Sequence, residues 1–261
     1  MNRLPTLFVS HGSPMLTIED GPAHRFLSTW GAKFGKPRAI LIISAHFEAS
    51  IATVTMSETP ETIYDFNGFP DALYNLEYPA PGDPDLAIEV CTLLAAGGLQ
   101  TETSGSRGLD HGAWVPLSLM YPDSDVPVVQ LSINPRLGPT YHFYLGELLQ
   151  TLREKGVLII GSGSVTHNLS HALHVKLDDS VPNWVTEFQE WLAEAVIDNR
   201  RNDITQYRAL APSAIRNHPT EEHLLPLLCV MGATQADEPR YRIHSSVTYG
   251  ALAMDAYLFG Q

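Results

Sequence analysis

Five histidines stand at unusual places in the chain. Two of them follow apolar runs, LFVSHGSP with His11 and AILIISAHFE with His46. The others are His111 in GLDHGAW, His167 in GSGSVTHN and His223 in HPTEEHLLPL. A neutral imidazole is a common ligand of zinc and iron, and open α/β sheets place ligands in the crevice beyond their strand ends. We therefore predict that several of these histidines meet at one metal site.

Each histidine also has an ordinary explanation. His11 or His46 alone could be a hydrogen-bonded residue at a strand end, and only the pair favours ligation. His111, with Asp110 beside it, could be a general acid or base or could stabilise a turn. His167 follows a glycine-rich strand end, so we expect it in the crevice.

His218 and His223 are five residues apart. On a helix they would point about 140° apart, so only one could face a site, and His223 is the better candidate. Thr220 suits a helix N-cap, which would place Glu221 and Glu222 in the first turn, where the helix dipole favours negative charge. The two glutamates therefore have a purely structural interpretation.

The segment around His167 also lacks the sequence motifs of several other enzyme classes. His167, His171 and His174 have helical spacing but lack the glutamate of an HExxH zinc motif, and we expect the last two on a solvated helix face. GSGS fails as a nucleophile elbow at Gly163 and lacks the Lys-Ser/Thr ending of a phosphate loop. Neither a serine hydrolase nor a nucleotidase is supported.

Strand-like and helical patterns alternate along the chain. Strands are predicted at residues 6–10, 39–44, 51–56, 126–133, 157–160 and 241–247, and helices with core-facing tyrosine and tryptophan stripes at 141–152 and 184–196. We predict a single α/β domain over residues 1–261, with a central mostly parallel or mixed sheet and helices on both faces.

Residues 58–84 form an irregular segment rich in proline, glycine and aromatic residues. Long loops of this kind are often lids or binding loops, and an aromatic lid would suit a ring-shaped ligand. The alternative is a loop that packs on the core through its own aromatics.

Charge and cysteine content limit the partners and the compartment. The formal charge of −13 argues against nucleic acid and anionic membranes as partners. Cys91 and Cys229 lie in apolar settings typical of buried free thiols, and neither a signal peptide nor a membrane span is visible, so we expect a cytoplasmic protein. The oligomeric state cannot be read from the sequence.

The chain resembles the DODA-type family of extradiol aromatic ring-opening dioxygenases, related to the LigB-like class. The resemblance runs through SHGSP, SAHFE, LDHGAW, GSGSVTHNL, HPTEEHLLPL and SVTYGALAMDAY in that order. It implies metal ligation by His11, His46 and His223, with His167 as a fourth contact or an acid/base group and His111 as a pocket histidine that binds substrate or oxygen.

The same resemblance implies the reaction. A catechol such as DOPA would be opened by O₂ with Fe(II) as the active metal, giving 4,5-seco-DOPA, the precursor of betalamic acid, with His111 and His167 supplying acid and base steps. An all-histidine ligand set also suits Zn(II), which has no redox chemistry. The alternatives are a zinc-dependent hydrolase and a non-catalytic metal-binding module on the same fold.

Overall fold

The computed structural model describes residues 3–175, 177 and 180–260. Within these residues the strands, β1 to β10 in order, are Thr6–Ser10, Ala39–Glu48, Ala52–Thr55, Thr101–Ser104, Val128–Ile133, Val157–Gly163, Arg240–His244, Val247–Thr248, Leu252–Ala253 and Ala256–Phe259. The α-helices, α1 to α11, are Pro22–Trp30, Asp71–Tyr74, Pro84–Ala96, His111–Met120, Gly138–Glu147, Leu169–Ala172, Asn183–Ile197, Arg201–Thr205, Tyr207–Leu210, Ala214–Asn217 and Leu225–Gly232. Short 3₁₀ helices lie at Pro14–Thr17, Gly31–Phe34, Pro135–Leu137 and Gln150–Lys155.

Eight strands form one mixed sheet in the order β4-β3-β5-β2-β6-β1-β10-β7. The four central strands β5, β2, β6 and β1 are parallel to one another. On one side β10 and β7 continue the sheet antiparallel, and on the other β3 runs antiparallel to β5. The predicted single α/β domain with a mixed sheet is confirmed.

Both faces of the sheet are covered, because the apolar residues of the central strands alternate between two cores. In β2, Leu41 and Ile43 pack against the core that includes α3, α5, α7 and α11. Ile40 and Ile42 point the other way, into the core built with α1 and α4. Two-sided burial explains why these strands read as continuous apolar runs.

The parallel arrangement brings the carboxyl ends of β1, β2 and β6 to one edge. His11 follows β1 directly, while His46 lies inside β2, which runs four residues beyond the predicted end and loses its regular register with β5 after Ile43. His167 follows β6. This edge is the crevice in which an α/β sheet usually builds its site.

Several predicted elements differ in extent. The predicted strand 241–247 is split into β7 and β8, and helix 141–152 is α5 followed by a 3₁₀ helix. Tyr144, which we expected in the core, is 39% exposed and its hydroxyl donates to the carbonyl of Gly97. None of the helices in the described ranges is long and apolar enough to cross a membrane.

The aromatic segment 58–84 packs largely on itself and on α4. Phe66 lies against Tyr74, Phe69 and Trp114, with ring centroids 5.2–6.2 Å apart. The hydroxyl of Tyr64 donates to a carbonyl of the same segment. The packed-loop interpretation therefore describes most of this segment, although Phe66 also meets His111 edge-on at 5.8 Å.

Candidate active site

Three imidazole nitrogens converge at the carboxyl edge of the sheet. Nε2 of His46 lies 3.1 Å from Nε2 of His11 and 3.3 Å from Nε2 of His223. Two nitrogens bound to one ion at 2.0–2.1 Å, with an angle between 90° and the tetrahedral value, lie about 2.8–3.4 Å apart. The three-nitrogen group of His11, His46 and His223 therefore has the spacing of a metal ligand set.

The hydrogen bonds of Ser162 fix the tautomer of His11. The Ser162 hydroxyl donates its only proton to the carbonyl of Gly112, so its oxygen accepts from Nδ1 of His11, 3.0 Å away. With its proton on Nδ1, His11 carries a lone pair on Nε2, which is the form that binds a metal.

Glu222 fixes His223 in the same way. Nδ1 of His223 donates to Oε1 of Glu222 at 2.9 Å, and the Thr220 hydroxyl donates to the same oxygen at 3.0 Å. The predicted helix start is wrong: α11 begins at Leu225, so Thr220 is not its N-cap. Glu222 thus orients a histidine of the three-nitrogen group and does not lie in the first turn of α11.

Asp65 is a site residue that the sequence analysis missed. Its Oδ1 accepts from the backbone N–H of His111 at 3.0 Å and from Nδ1 of His111 at 2.8 Å. Its Oδ2 lies 3.6 Å from Nδ1 of His46. One carboxylate from the aromatic segment thus faces both His46 of the three-nitrogen group and His111.

Asp110, the carboxylate next to His111 in sequence, has a different role. It is fully buried, and its Oδ1 accepts from Ser44 and from the N–H of Ala113, while its Oδ2 accepts from Arg107 and Gln130. Asp110 therefore caps α4 and ties it to β2 and β5. The carboxylate paired with His111 is Asp65.

His167 lies beside the three-nitrogen group rather than within it. Its ring stacks on that of His223 with centroids 3.4 Å apart, and its Nδ1 is 3.9 Å from Oε1 of Glu222. His218 is fully buried behind them, and its Nε2 donates to the carbonyl of Val165. Of the pair five residues apart, His223 is the one at the site, as expected.

His171 and His174 do not reach the three-nitrogen group. The ring of His171 meets Trp184 edge-on, and Nδ1 of His174 donates to the carbonyl of Ser170 on its own helical turn. The helical spacing of these histidines therefore does not produce a metal face.

Burial keeps the clustered imidazoles neutral. Loss of solvent, followed by the nearby histidines, lowers the pKa of His46 and of His167 to about 3 and holds the pKa of His11 and His223 well below the ordinary value. Neutral rings bind a cation without first releasing protons. Burial raises the pKa of Asp65, but its hydrogen bonds to His111 outweigh this and lower it to about 2, so Asp65 is ionised.

The glycines of β6 allow His223 to approach the sheet. A Cβ at Gly163 would lie 2.1 Å from the carbonyl oxygen of His223, and one at Gly161 would lie 2.4 Å from that of Pro226. The N–H of Ser164 donates to the same His223 carbonyl at 2.9 Å. The GSGS sequence thus serves backbone packing beside the three-nitrogen group.

Comparison with known proteins identifies the family. The model of the catalytic LigB subunit of aromatic ring-opening dioxygenases matches residues 5–259. The chain belongs to the LigB family. The expected resemblance is confirmed, and the chain is an enzyme of the extradiol dioxygenase class.

Individual relatives of this LigB-family chain match over nearly its whole length. A protein named 4,5-DOPA dioxygenase extradiol from Beta vulgaris is 43% identical over 97% of this chain and 96% of its own, and one of the same name from Escherichia coli is 39% identical over 97% and 93%. A crystal structure of an Escherichia coli K12 protein described as uncharacterized has a TM-score of 0.84 and 34% identity, covering 99% of this chain and all of its own.

Family membership decides between the alternatives left by the sequence. A zinc-dependent hydrolase is not favoured, because the matching family and relatives are ring-opening dioxygenases. LigB-family enzymes depend on a metal, and the three-nitrogen group is a suitable place for it.

Proposed function

We propose that the enzyme opens the ring of DOPA-like catechols with O₂ to give 4,5-seco-DOPA. The observation that carries this proposal is the three-nitrogen group, with a further histidine on either side, in a chain whose relatives are named 4,5-DOPA dioxygenase extradiol. His11, His46 and His223 would hold the ion, and His167, stacked on His223, is proposed as a fourth contact or as an acid/base group.

Fe(II) is the proposed metal. A redox-active ion supplies the one-electron chemistry that lets O₂ react with an aromatic ring, whereas zinc cannot change oxidation state. Three neutral nitrogens on one side of an ion leave its other positions free for small ligands. Zinc would also fit this ligand set, so a zinc-loaded preparation is expected to be folded and inactive.

His111 and His167 are proposed to move the protons. His167 is neutral and lies next to the ligand His223, so it is placed to accept a proton from a catechol hydroxyl. His111 donates its Nδ1 proton to Asp65, which leaves the Nε2 lone pair as its exchangeable site. Two such groups are suited to the base and acid steps of ring opening.

The first test is O₂ uptake after anaerobic reconstitution with Fe(II) and addition of L-DOPA. We expect one O₂ consumed for each L-DOPA and the appearance of a yellow ring-opened product. No uptake at verified full iron occupancy would reject the proposal, and zinc-loaded protein serves as the matched control.

Variants separate ligation from proton transfer. His223→Ala is expected to lose the metal, whereas His167→Ala is expected to retain at least part of it and lose turnover by about 10²-fold or more. His174→Ala, on an exposed position, is the control. Full metal occupancy in His223→Ala would show that the ligand assignment is wrong.

A cytoplasmic location is also proposed. It is supported by the two cysteines, which are free thiols, Cys229 buried and Cys91 partly buried, as is usual in a reducing compartment.

A further inference from the structure

Two carboxylates flank the three-nitrogen group, and each faces one ligand histidine and one non-ligand histidine. Asp65 lies between His46 and His111, and Glu222 lies between His223 and His167. We call these the two carboxylate bridges. They come from different parts of the chain, since Asp65 belongs to the aromatic segment and Glu222 precedes α11.

Each carboxylate bridge hydrogen-bonds to only one of its two histidines. Asp65 bonds to the non-ligand histidine, whereas Glu222 bonds to the ligand histidine. Asp65 makes its two hydrogen bonds, 2.8 and 3.0 Å, to His111 and lies 3.6 Å from the ligand His46. Glu222 makes its 2.9 Å hydrogen bond to the ligand His223 and lies 3.9 Å from His167. A hydrogen bond at 2.8–2.9 Å to a carboxylate orients a ring and fixes its tautomer, whereas a separation of 3.6 Å or more does not.

From this asymmetry we propose that Asp65 and Glu222 are positioning residues with divided roles. Asp65 holds His111 in the orientation and tautomer needed for proton transfer, and Glu222 holds His223 in the tautomer needed for metal binding. The Asp65 half rests on the proposed function of His111. The Glu222 half rests only on the three-nitrogen group.

The chemistry of each bridge predicts different consequences. Without the Glu222 charge, His223 loses a charge-assisted hydrogen bond that raises the basicity of its Nε2, and loss of such an outer partner typically weakens metal binding by about 10–100-fold. Without Asp65, no carboxylate holds the His111 proton on Nδ1, so the proton can move to Nε2, the nitrogen proposed to take part in proton transfer. The Asp65→Asn change keeps one side-chain oxygen for His111, so it should be milder than Asp65→Ala.

The experiment measures metal affinity and turnover separately. Metal-free wild type, Asp65→Ala, Asp65→Asn and Glu222→Gln are titrated with Zn(II) against a chromophoric chelator, and the same proteins loaded with Fe(II) are assayed with L-DOPA per bound iron. Glu221→Gln and Asp71→Asn are the matched controls, because one adjoins Glu222 and the other lies in the aromatic segment with Asp65.

We expect Glu222→Gln, which removes the charge but leaves a neutral oxygen for Nδ1 of His223, to raise the Zn(II) dissociation constant by about tenfold while kcat per bound iron stays within about threefold of wild type. Asp65→Ala should lower kcat per bound iron by about 10²-fold or more with an unchanged KM and a Zn(II) affinity within about threefold of wild type. Equal effects of the two changes on affinity, or on kcat per bound iron, would overturn the divided roles.

A spectroscopic measurement keeps the inference separate from the proposed substrate. Imidazole ¹⁵N shifts of metal-free protein should report His111 as the Nδ1–H tautomer in wild type and as a mixture in Asp65→Ala; an unchanged tautomer would overturn the Asp65 half. If wild type loaded with iron fails to open L-DOPA, the proposed function fails, while the Zn(II) titrations and the ¹⁵N shifts still decide both halves. If Asp65→Ala does not fold, the isosteric Asp65→Asn takes its place in both measurements, with a smaller expected effect in the same direction.

Discussion

For two histidines of the three-nitrogen group, His11 and His223, the tautomer is fixed by a hydrogen-bond partner on Nδ1. Ser162 can accept from His11 only because its own proton goes to the carbonyl of Gly112. His223 depends on Glu222 in a comparable way. These two partners keep the proton on Nδ1 and so leave Nε2 of His11 and of His223 with the lone pair that a metal would need.

Ser162→Ala should weaken metal binding while leaving the fold intact. The change removes the acceptor for Nδ1 of His11, so the ring can carry its proton on Nε2, and we expect about a tenfold or greater rise in the metal dissociation constant. Titration of metal-free protein with Zn(II) measures it. Ser132→Ala, another buried strand serine whose hydroxyl accepts from Thr53, is the control; equal affinities in the two variants would contradict the role of Ser162.

At this scale, the sequence could reveal the histidines but not their partners. The five histidines stand beside recognisable strand ends and turns, so their positions carry a signal. Asp65 is 46 residues from His111 in sequence and sits in a segment without periodicity, so no local pattern points to it. Glu222 was misread because its position after Thr220 matched a helix start that the chain does not form.

Among the elements, the contact between β6 and the turn before α11 is the tightest at the site. It depends on Gly163, where an added Cβ would meet a backbone atom that cannot move independently. The same turn carries His223 and Glu222, so the position of His223 in the three-nitrogen group depends on the absence of a side chain at Gly163.

Gly163→Ala should displace His223 and reduce both stability and metal binding. The backbone has to shift by most of an ångström to accept a contact of 2.1 Å, and we expect a loss of stability of about 1–3 kcal/mol. Urea unfolding and Zn(II) titration would show it. Gly105→Ala, where an added Cβ meets nothing within 4 Å, is the control, and a wild-type Zn(II) affinity in Gly163→Ala would argue against this dependence.

The aromatic segment offers a milder test. Phe69 packs edge-on against Phe66 at 5.3 Å, and Phe66 in turn contacts His111. Phe69→Ala should therefore loosen the wall beside His111 and raise KM for L-DOPA several-fold with little change in kcat. Steady-state kinetics would measure this against Ile88→Ala, an exposed position on α3; unchanged kinetics would leave the segment with a packing role alone.

The sequence predicted the strands that are buried on both faces of the sheet. It did not predict the short polar strands. The central strands are long and apolar, whereas β4 is TETS, an edge strand whose residues are all polar. Its place is set by pairing with β3 and by α3 rather than by its own composition. The split of β7 from β8 likewise depends on tertiary pairing that no local pattern shows.

For the whole molecule, buried neutral histidines connect stability with pH. His142 and His218 are both fully buried, and burial lowers the pKa of each to about 4. Their folded-state pKa lies below the ordinary value of 6.5, so the unfolded chain takes up protons that the folded chain refuses. The contribution of each neutral histidine to the free energy of unfolding is present above about pH 6.5 and is lost as the pH falls toward 4.

Metal-free protein should accordingly lose stability on acidification, by on the order of 3 kcal/mol for each of these two histidines at pH 4. His142→Gln should have a flatter pH dependence than wild type, because glutamine does not titrate in this range and its side chain is long enough to place an oxygen at the position of Nε2, where it can accept from the N–H of Asn134. Urea unfolding at pH 7, 5.5 and 4.5 compares them, and parallel curves would contradict the assignment.

The origin of the three ligands has a consequence for the order of events during folding. His11 and His46 are 35 residues apart, and His46 and His223 are 177 residues apart. β1, which leads into His11, is enclosed between β6 and β10, the strand nearest the end of the chain. No short stretch of nascent chain can therefore assemble the ligand set, since closing such long loops carries an entropy cost that only the finished sheet repays. If His11, His46 and His223 hold the ion as proposed, we expect it to bind to completed molecules rather than to nucleate the fold, unlike the metal of a zinc finger.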